Sequence, residues 1–129
     1  MSGLAPIPAR IAVGVTGHRR LRDEPALASA VASVLDRIAQ LAPALRATPI
    51  ELTVITPLAE GADRLVAREV LKRPGARLEA VLPLEPDDYA ADFERPGSRA
   101  EFETLLSSAA ALRRLPPSPS RADAYAAAG

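Results

Sequence analysis

The stretch IELTVITPLAEGADRLVAREVLKRPG, residues 50–75, decides the fold. Ile50 to Thr56 alternates apolar and polar residues and reads as a β-strand. Beyond Pro57 the pattern changes to helical spacing from about Gly61 to Arg73, and Pro74-Gly75 stops it. A strand running through a short loop into a helix is half of a β-α-β crossover, and the flanking sequence supplies the rest. Upstream, RIAVGVT (Arg10–Thr16) is a strand with Ile11, Val13 and Val15 on one face and small Ala12 and Gly14 on the other, apolar enough for burial on both sides. PALASAVASVLDRIAQLAPAL (Pro25–Leu45) follows, with Pro25 suited to a first helical turn and Leu27, Val31, Val34, Leu35, Ile38 and Leu41 at helical spacing.

Downstream, RLEAVLPL (Arg77–Leu84) predicts a third strand, EPDDYAADF (Glu85–Phe93) a short acidic helix and SRAEFETLLSSAAAL (Ser98–Leu112) an amphipathic one. RLPPSPSR (Arg114–Arg121) is a turn-rich break, and ADAYAAAG (Ala122–Gly129) starts a last helix. The order β-α-β-α-β, with crossovers of this length, favours parallel strands. The fold class is therefore α/β: a Rossmann-like three-layer αβα arrangement with a mainly parallel sheet, comprising a tail over residues 1–9 and a single domain over 10–129.

Composition narrows the function. The 129 residues suffice for one core but not two. Nearly half are apolar but only 3% are aromatic, so the core must be built of Ala, Val, Leu and Ile. Sixteen acidic and 16 basic residues cancel, which removes the bulk electrostatic case for nucleic acid or an anionic membrane and makes any anion site a local one. The absence of cysteine excludes disulfides, thiolate metal sites and cysteine nucleophiles, and a single histidine, His18, excludes a multi-histidine metal site. No metal or cofactor is called for. No stretch approaches the roughly 20 apolar residues of a membrane span, so no membrane partner is expected and a cytoplasmic location is the default.

In open parallel sheets, ligands sit outside the carboxyl ends of the strands, where loops lead into helix N-termini. Two such junctions are unusual here. GVTGHRRLR (Gly14–Arg22) places Thr16, Gly17 and His18 after the first strand, with Arg19, Arg20 and Arg22 close behind. PLAEGADRL (Pro57–Leu65) places Glu60, Gly61, Ala62, Asp63 and Arg64 where the second helix begins. Helix-start N–H groups, a glycine allowing close approach and a nearby guanidinium suit a phosphate or pyrophosphate. Neither stretch is a P-loop or a G-x-G-x-x-G fingerprint, and the second strand ends in Thr56-Pro57 rather than in a ribose-binding acid, which argues against a conventional dehydrogenase or NTPase.

The combination of VGVTGHRRL, ITPLAEGADRLVAREVL and LEAVLPLEPDDYAADF resembles the SLOG superfamily, the Rossmann-like domains of the DNA-processing Smf proteins and the Lonely Guy cytokinin-activating enzymes, over about residues 10 to 110. The resemblance implies binding of nucleotides or nucleotide-derived ligands at the two loops. Some relatives hydrolyse the N-glycosidic bond of nucleoside monophosphates, some hold single-stranded DNA, and some sense ADP-ribose derivatives in bacterial antiphage defence. The motifs look closest to the sensing branch. Thr16, Gly17, His18 and Arg19 would form the first ligand loop and Glu60, Gly61, Ala62 and Asp63 the second, with Arg64 beside it. The P-G-G-x-G-T-x-x-E segment of the Lonely Guy enzymes is absent, so no catalytic residue is assigned and hydrolysis is the alternative rather than the leading expectation. Relatives with these N-terminal motifs would continue beyond a segment such as DAYAAAG, which makes the chain look truncated at Gly129.

The expected partner is a nucleotide-derived small molecule, with association of identical domains as one way to transmit its binding; single-stranded DNA is a further alternative that neutral charge and few aromatics disfavour. Each site residue also has a simpler reading. Gly17 serves a tight turn, and His18 fixes its loop through a neighbouring carbonyl. Glu60 and Arg64 form an i,i+4 surface pair, and Asp63 caps the helix start. The acidic run from Glu85 to Glu94 is a solvated face, with Asp87 and Asp88 able to rim a pocket.

Overall fold

A computed structural model of the chain describes residues 9–40 and 50–129. The elements are β1 (Ala9–Gly14), α1 (Glu24–Gln40), β2 (Ile50–Thr56), α2 (Ala62–Leu71), β3 (Arg77–Leu82), α3 (Pro86–Ala90), α4 (Ser98–Ser107), β4 (Ala111–Arg114) and α5 (Arg121–Ala128). The segment expected to extend the first helix to Leu45, and the tail over 1–8, lie outside the described residues. The four strands make one wholly parallel sheet in the order β1-β2-β3-β4. This is the Rossmann-like α/β architecture that the strand-loop-helix pattern implies.

The register explains the core. Ile11 pairs with Leu52 and Val13 with Val54, while Val54 pairs with Leu78 and Thr56 with Ala80, so these residues share one face. On it Leu52, Val54, Leu78, Ala80 and Leu82 are buried together with Leu35 of α1, Ala67 and Val70 of α2, and Phe102 and Leu105 of α4. Crossovers of one hand between strands laid down in one direction fall on the same side, and α1 and α2 pack against each other accordingly. The opposite face is more polar: Arg10 donates to Glu51 (2.6 Å) and to Thr53 (3.5 Å) across the β1–β2 pair.

Two expectations are corrected. The first strand is not buried on both sides: β1 is an edge strand, with Ala12 and Gly14 exposed. The stretch expected to end a long amphipathic helix at Leu112 instead stops at Ser107 and turns into β4, a four-residue edge strand, ALRR, whose residues are all exposed. No apolar alternation marks that strand because its side chains do not face the core; backbone pairing of Ala80 with Leu112 and Leu82 with Arg114 makes it.

Candidate functional site

The carboxyl ends of β1, β2 and β3 meet at a cavity of about 160 Å³ lined by Thr16, Gly17 and Arg19 from the first loop, and by Ala59, Glu60 and Asp63 from the second. Tyr89 of α3 and Tyr125 of α5 complete it, with Ala128 and Gly129 also in its lining. Both sequence motifs thus reach one place. His18, Gly61, Ala62 and Arg64 do not line the cavity; they hold the two loops in position.

The second loop is built first, from its own backbone. Leu58 is fully buried and adopts φ 58°, a left-handed conformation that costs a residue with a Cβ about 1 kcal/mol. Its neighbours fix it there: the Leu58 N–H donates to Thr56 Oγ1 (3.1 Å), and Arg64 Nε donates to the Leu58 carbonyl (3.0 Å). Arg64 is 1% exposed. Its Nη1 donates to the Ser98 carbonyl (3.0 Å), Ser98 Oγ (2.7 Å) and Glu101 Oε1 (3.3 Å), and its guanidinium lies 4.4 Å from the centre of the Phe93 ring. The surface pair with Glu60 expected from the i,i+4 spacing does not form. Arg64 turns inward instead, and its buried Nη2 has no hydrogen-bond partner among the described residues. Contact with aromatic faces stands in for part of that missing bond.

Glu60 turns the other way. Its two carboxylate oxygens accept the backbone N–H groups of Glu94 and Arg95, each at 3.0 Å, so the loop after β2 grips the segment between α3 and α4. Burial pushes its carboxyl up, but those two N–H groups, Ser98 and the Arg64 charge outweigh it and leave the group below its ordinary range. Asp63, three residues on, reaches back to the Ala59 N–H (3.1 Å), two residues before the N-cap Gly61, so it closes the loop rather than capping a helix-start N–H. Here burial prevails over the bonds from Ala59 and Thr56 and the charges of Arg19 and Arg64, and the carboxyl is raised. Two carboxylates three residues apart, at the junction of the loop and α2, are thus tuned in opposite directions.

The glycines serve contact between loops. Gly61 has φ 89°, and a Cβ on it would collide with the backbone of His18 and Arg19. Gly17 is not left-handed; a Cβ there would stand 2.6 Å from Ala62 Cβ, so the position needs space rather than a turn conformation. The His18 carbonyl accepts the Ala62 N–H (3.0 Å), tying the first loop to the start of α2. The start of α1 lies further off, at Glu24, and Asp23 Oδ1 occupies the Ala26 N–H there. The first loop therefore presents its own backbone and Arg19 to the cavity, not a helix N-terminus.

Sequence reasoning missed the aromatic residues. All four in the chain form one cluster at the cavity: Tyr89 meets Phe93 (4.9 Å between centres), Phe102 (5.6 Å) and Tyr125 (5.8 Å), and Phe93 meets Phe102 (5.0 Å). Burial, with the Asp63 charge second, raises the Tyr89 hydroxyl well above the usual phenol range. Arg19 lies 5.3 Å from the centre of the Tyr125 ring. Tyr125 donates to Asp92, which also binds Arg121, and Arg121 in turn binds Asp88 (2.9 Å). The i,i+4 spacing of Tyr89 and Phe93 was the one available signal. Asp87 and Asp88 pair with Arg99 and Arg121 and do not line the cavity.

Among the described residues no cluster of His, Asp or Glu could hold a metal ion, and no helix is long and apolar enough to cross a membrane. No protein-family model matches the chain, and no curated protein matches it.

Proposed function

We propose that the chain binds a nucleotide-derived small molecule, of the ADP-ribose kind, in the cavity at the carboxyl ends of the strands, and serves as the sensor part of a signalling or defence protein. The observation that carries this reading is the convergence of the two SLOG-like motifs on one cavity that offers Arg19, Asp63 and two tyrosines. Arg19 supplies the charge for a phosphate. Asp63 accepts hydroxyl protons, and its raised carboxyl suits a neutral hydroxyl better than a second anion. Glu60 is spent on the Glu94 and Arg95 N–H groups, so it is not available to activate water, which favours binding over hydrolysis.

Size refines the reading. Pockets for drug-sized ligands run from about 300 Å³ upward, so a cavity of about 160 Å³ holds a phosphate with its ribose and leaves the rest of the ligand at the mouth. Tyr125, half-buried in the lining, would offer an aromatic face to that part.

A thermal-shift screen against adenosine monophosphate, NAD, linear and cyclic ADP-ribose and a short single-stranded DNA tests this. A ligand at 100 times its dissociation constant adds about 2.7 kcal/mol of stability, so an ADP-ribose derivative should raise the melting temperature, and Arg19→Ala should abolish the shift. Release of free base from the monophosphate would instead favour the hydrolase, and a salt-sensitive gel shift the DNA-binding module.

A further inference from the structure

We propose that the chain pairs with a second copy of itself through α1, the two helices packing antiparallel about a two-fold axis near Ala30. α1 carries two apolar stripes. Val31, Leu35 and Ile38 face the sheet, while Leu27, Ala30 and Val34 form a second line beside them on the same broad apolar face, with Leu27 40% and Val34 55% exposed. The second stripe borders an apolar groove of about 360 Å³ between α1 and the edge strand β1, lined among others by Val13, Val15, Leu27, Val31, Val34 and Ile38. Two exposed large aliphatic side chains lining an open apolar groove at a sheet edge leave surface that a partner would cover.

Charge selects the partner. This second stripe repeats at alternating steps of four and three, which is the spacing of a helix-helix seam, and it is flanked by Asp23, the residue before α1, and by Arg37 in its last turn. Crossing two copies antiparallel at the small Ala30 sets Leu27 of one beside Val34 of the other, twice. The same crossing sets each Asp23 opposite an Arg37. A parallel pairing would put like charges together. Antiparallel packing also aligns the helix dipoles favourably. The surface is self-complementary under a two-fold axis, as a pair of identical subunits requires, and with one cation on the stripe it offers little to nucleic acid or an anionic membrane.

Sedimentation equilibrium of the full chain from about 1 to 100 μM, a range that brackets a micromolar dimer, tests the proposal. The wild type should shift from monomer to dimer with concentration. Leu27→Glu and Val34→Lys should each weaken the dimer at least tenfold, as should Arg37→Glu on the exposed surface, with unchanged far-UV circular dichroism. Combining Leu27→Glu with Val34→Lys in one chain should restore at least tenfold of the loss, because antiparallel pairing sets the new carboxylate of one copy beside the new ammonium group of the other, on both sides of the axis. A wild type that stays monomeric throughout, or a double variant no stronger than its parents, would overturn the proposal.

Discussion

The two loops that meet at the cavity are built on opposite plans. From Thr16 to Arg20 the loop after β1 is exposed at every residue, and its side chains make few bonds: Arg20 reaches Glu94 at the surface, and Arg19 lies over Tyr125. The loop after β2 is buried at Leu58, Glu60 and Gly61; its Glu60 reaches across to the segment before α4, and Arg64, in the first turns of α2, reaches α4 itself. One is a fixed buttress; the other is a cover laid on it, held by the Ala62 to His18 bond and by the close fit of Gly17 and Gly61. The difference teaches that a charged residue near a ligand site can serve the scaffold. Arg64 and Glu60 are as conspicuous in the sequence as Arg19 and Asp63, but the first two are consumed by the protein itself.

Substitutions can break that contrast. The largest effect should come from Arg64→Met, which leaves Ser98, Glu101 and the strained Leu58 without their common donor. Removing one member of a buried charged network costs about 3 kcal/mol or more, and urea unfolding should show a loss of that size. Gly61→Ala follows: a left-handed position and a collision with the His18 and Arg19 backbone together should cost about 2 kcal/mol, and should weaken ligand binding by displacing the cover. Arg19→Ala marks the other extreme. As a surface change it should alter stability by no more than about 0.5 kcal/mol while abolishing the ligand-induced thermal shift. If Arg19→Ala were as destabilising as Arg64→Met, the division into buttress and cover would be wrong.

Acidity sharpens the contrast within the buttress. The lowered carboxyl of Glu60 adds stability that is present above its ordinary value of 4.5 and is lost as pH falls through the folded value beneath it. Asp63 runs the other way: its raised carboxyl contributes stability below 3.8 that is lost as pH rises through the folded value above it. Glu60→Gln should therefore flatten the acid limb of stability against pH. Asp63→Asn should give a gain in stability near neutrality that disappears toward pH 3.8. Urea midpoints measured at several pH values would separate the two.

The sequence made some of this plain and hid the rest for physical reasons. β2 is found over the residues expected, since Ile50 to Thr56 has strong strand formers and a proline closing it. The meeting of the two motifs followed from the rule that loops at one edge of a parallel sheet come together. β4 was hidden because an exposed four-residue strand leaves no apolar pattern. The place of β1 at the edge was hidden because strand order is a property of the crossovers, not of any one strand. The aromatic cluster was hidden because Phe102 and Tyr125 lie on separate helices from Tyr89, so only tertiary packing brings them together. Arg64 was misread because its partners, Ser98 and Glu101, are remote in sequence, while Glu60 is one turn away.

The succession of strands across the sheet has a consequence for how the chain assembles. Each strand's neighbour is the one made just before it, so none must be threaded between two that are already joined. Pairings between consecutive segments close shorter loops than distant ones do and are reached sooner. As the chain emerges during synthesis, β2 can dock on β1, then β3 on β2 and β4 on β3, each adding to a finished edge. Tyr125 appears only after all four strands have been made. The cavity therefore cannot be complete until this last segment has been made and packed against the sheet edge.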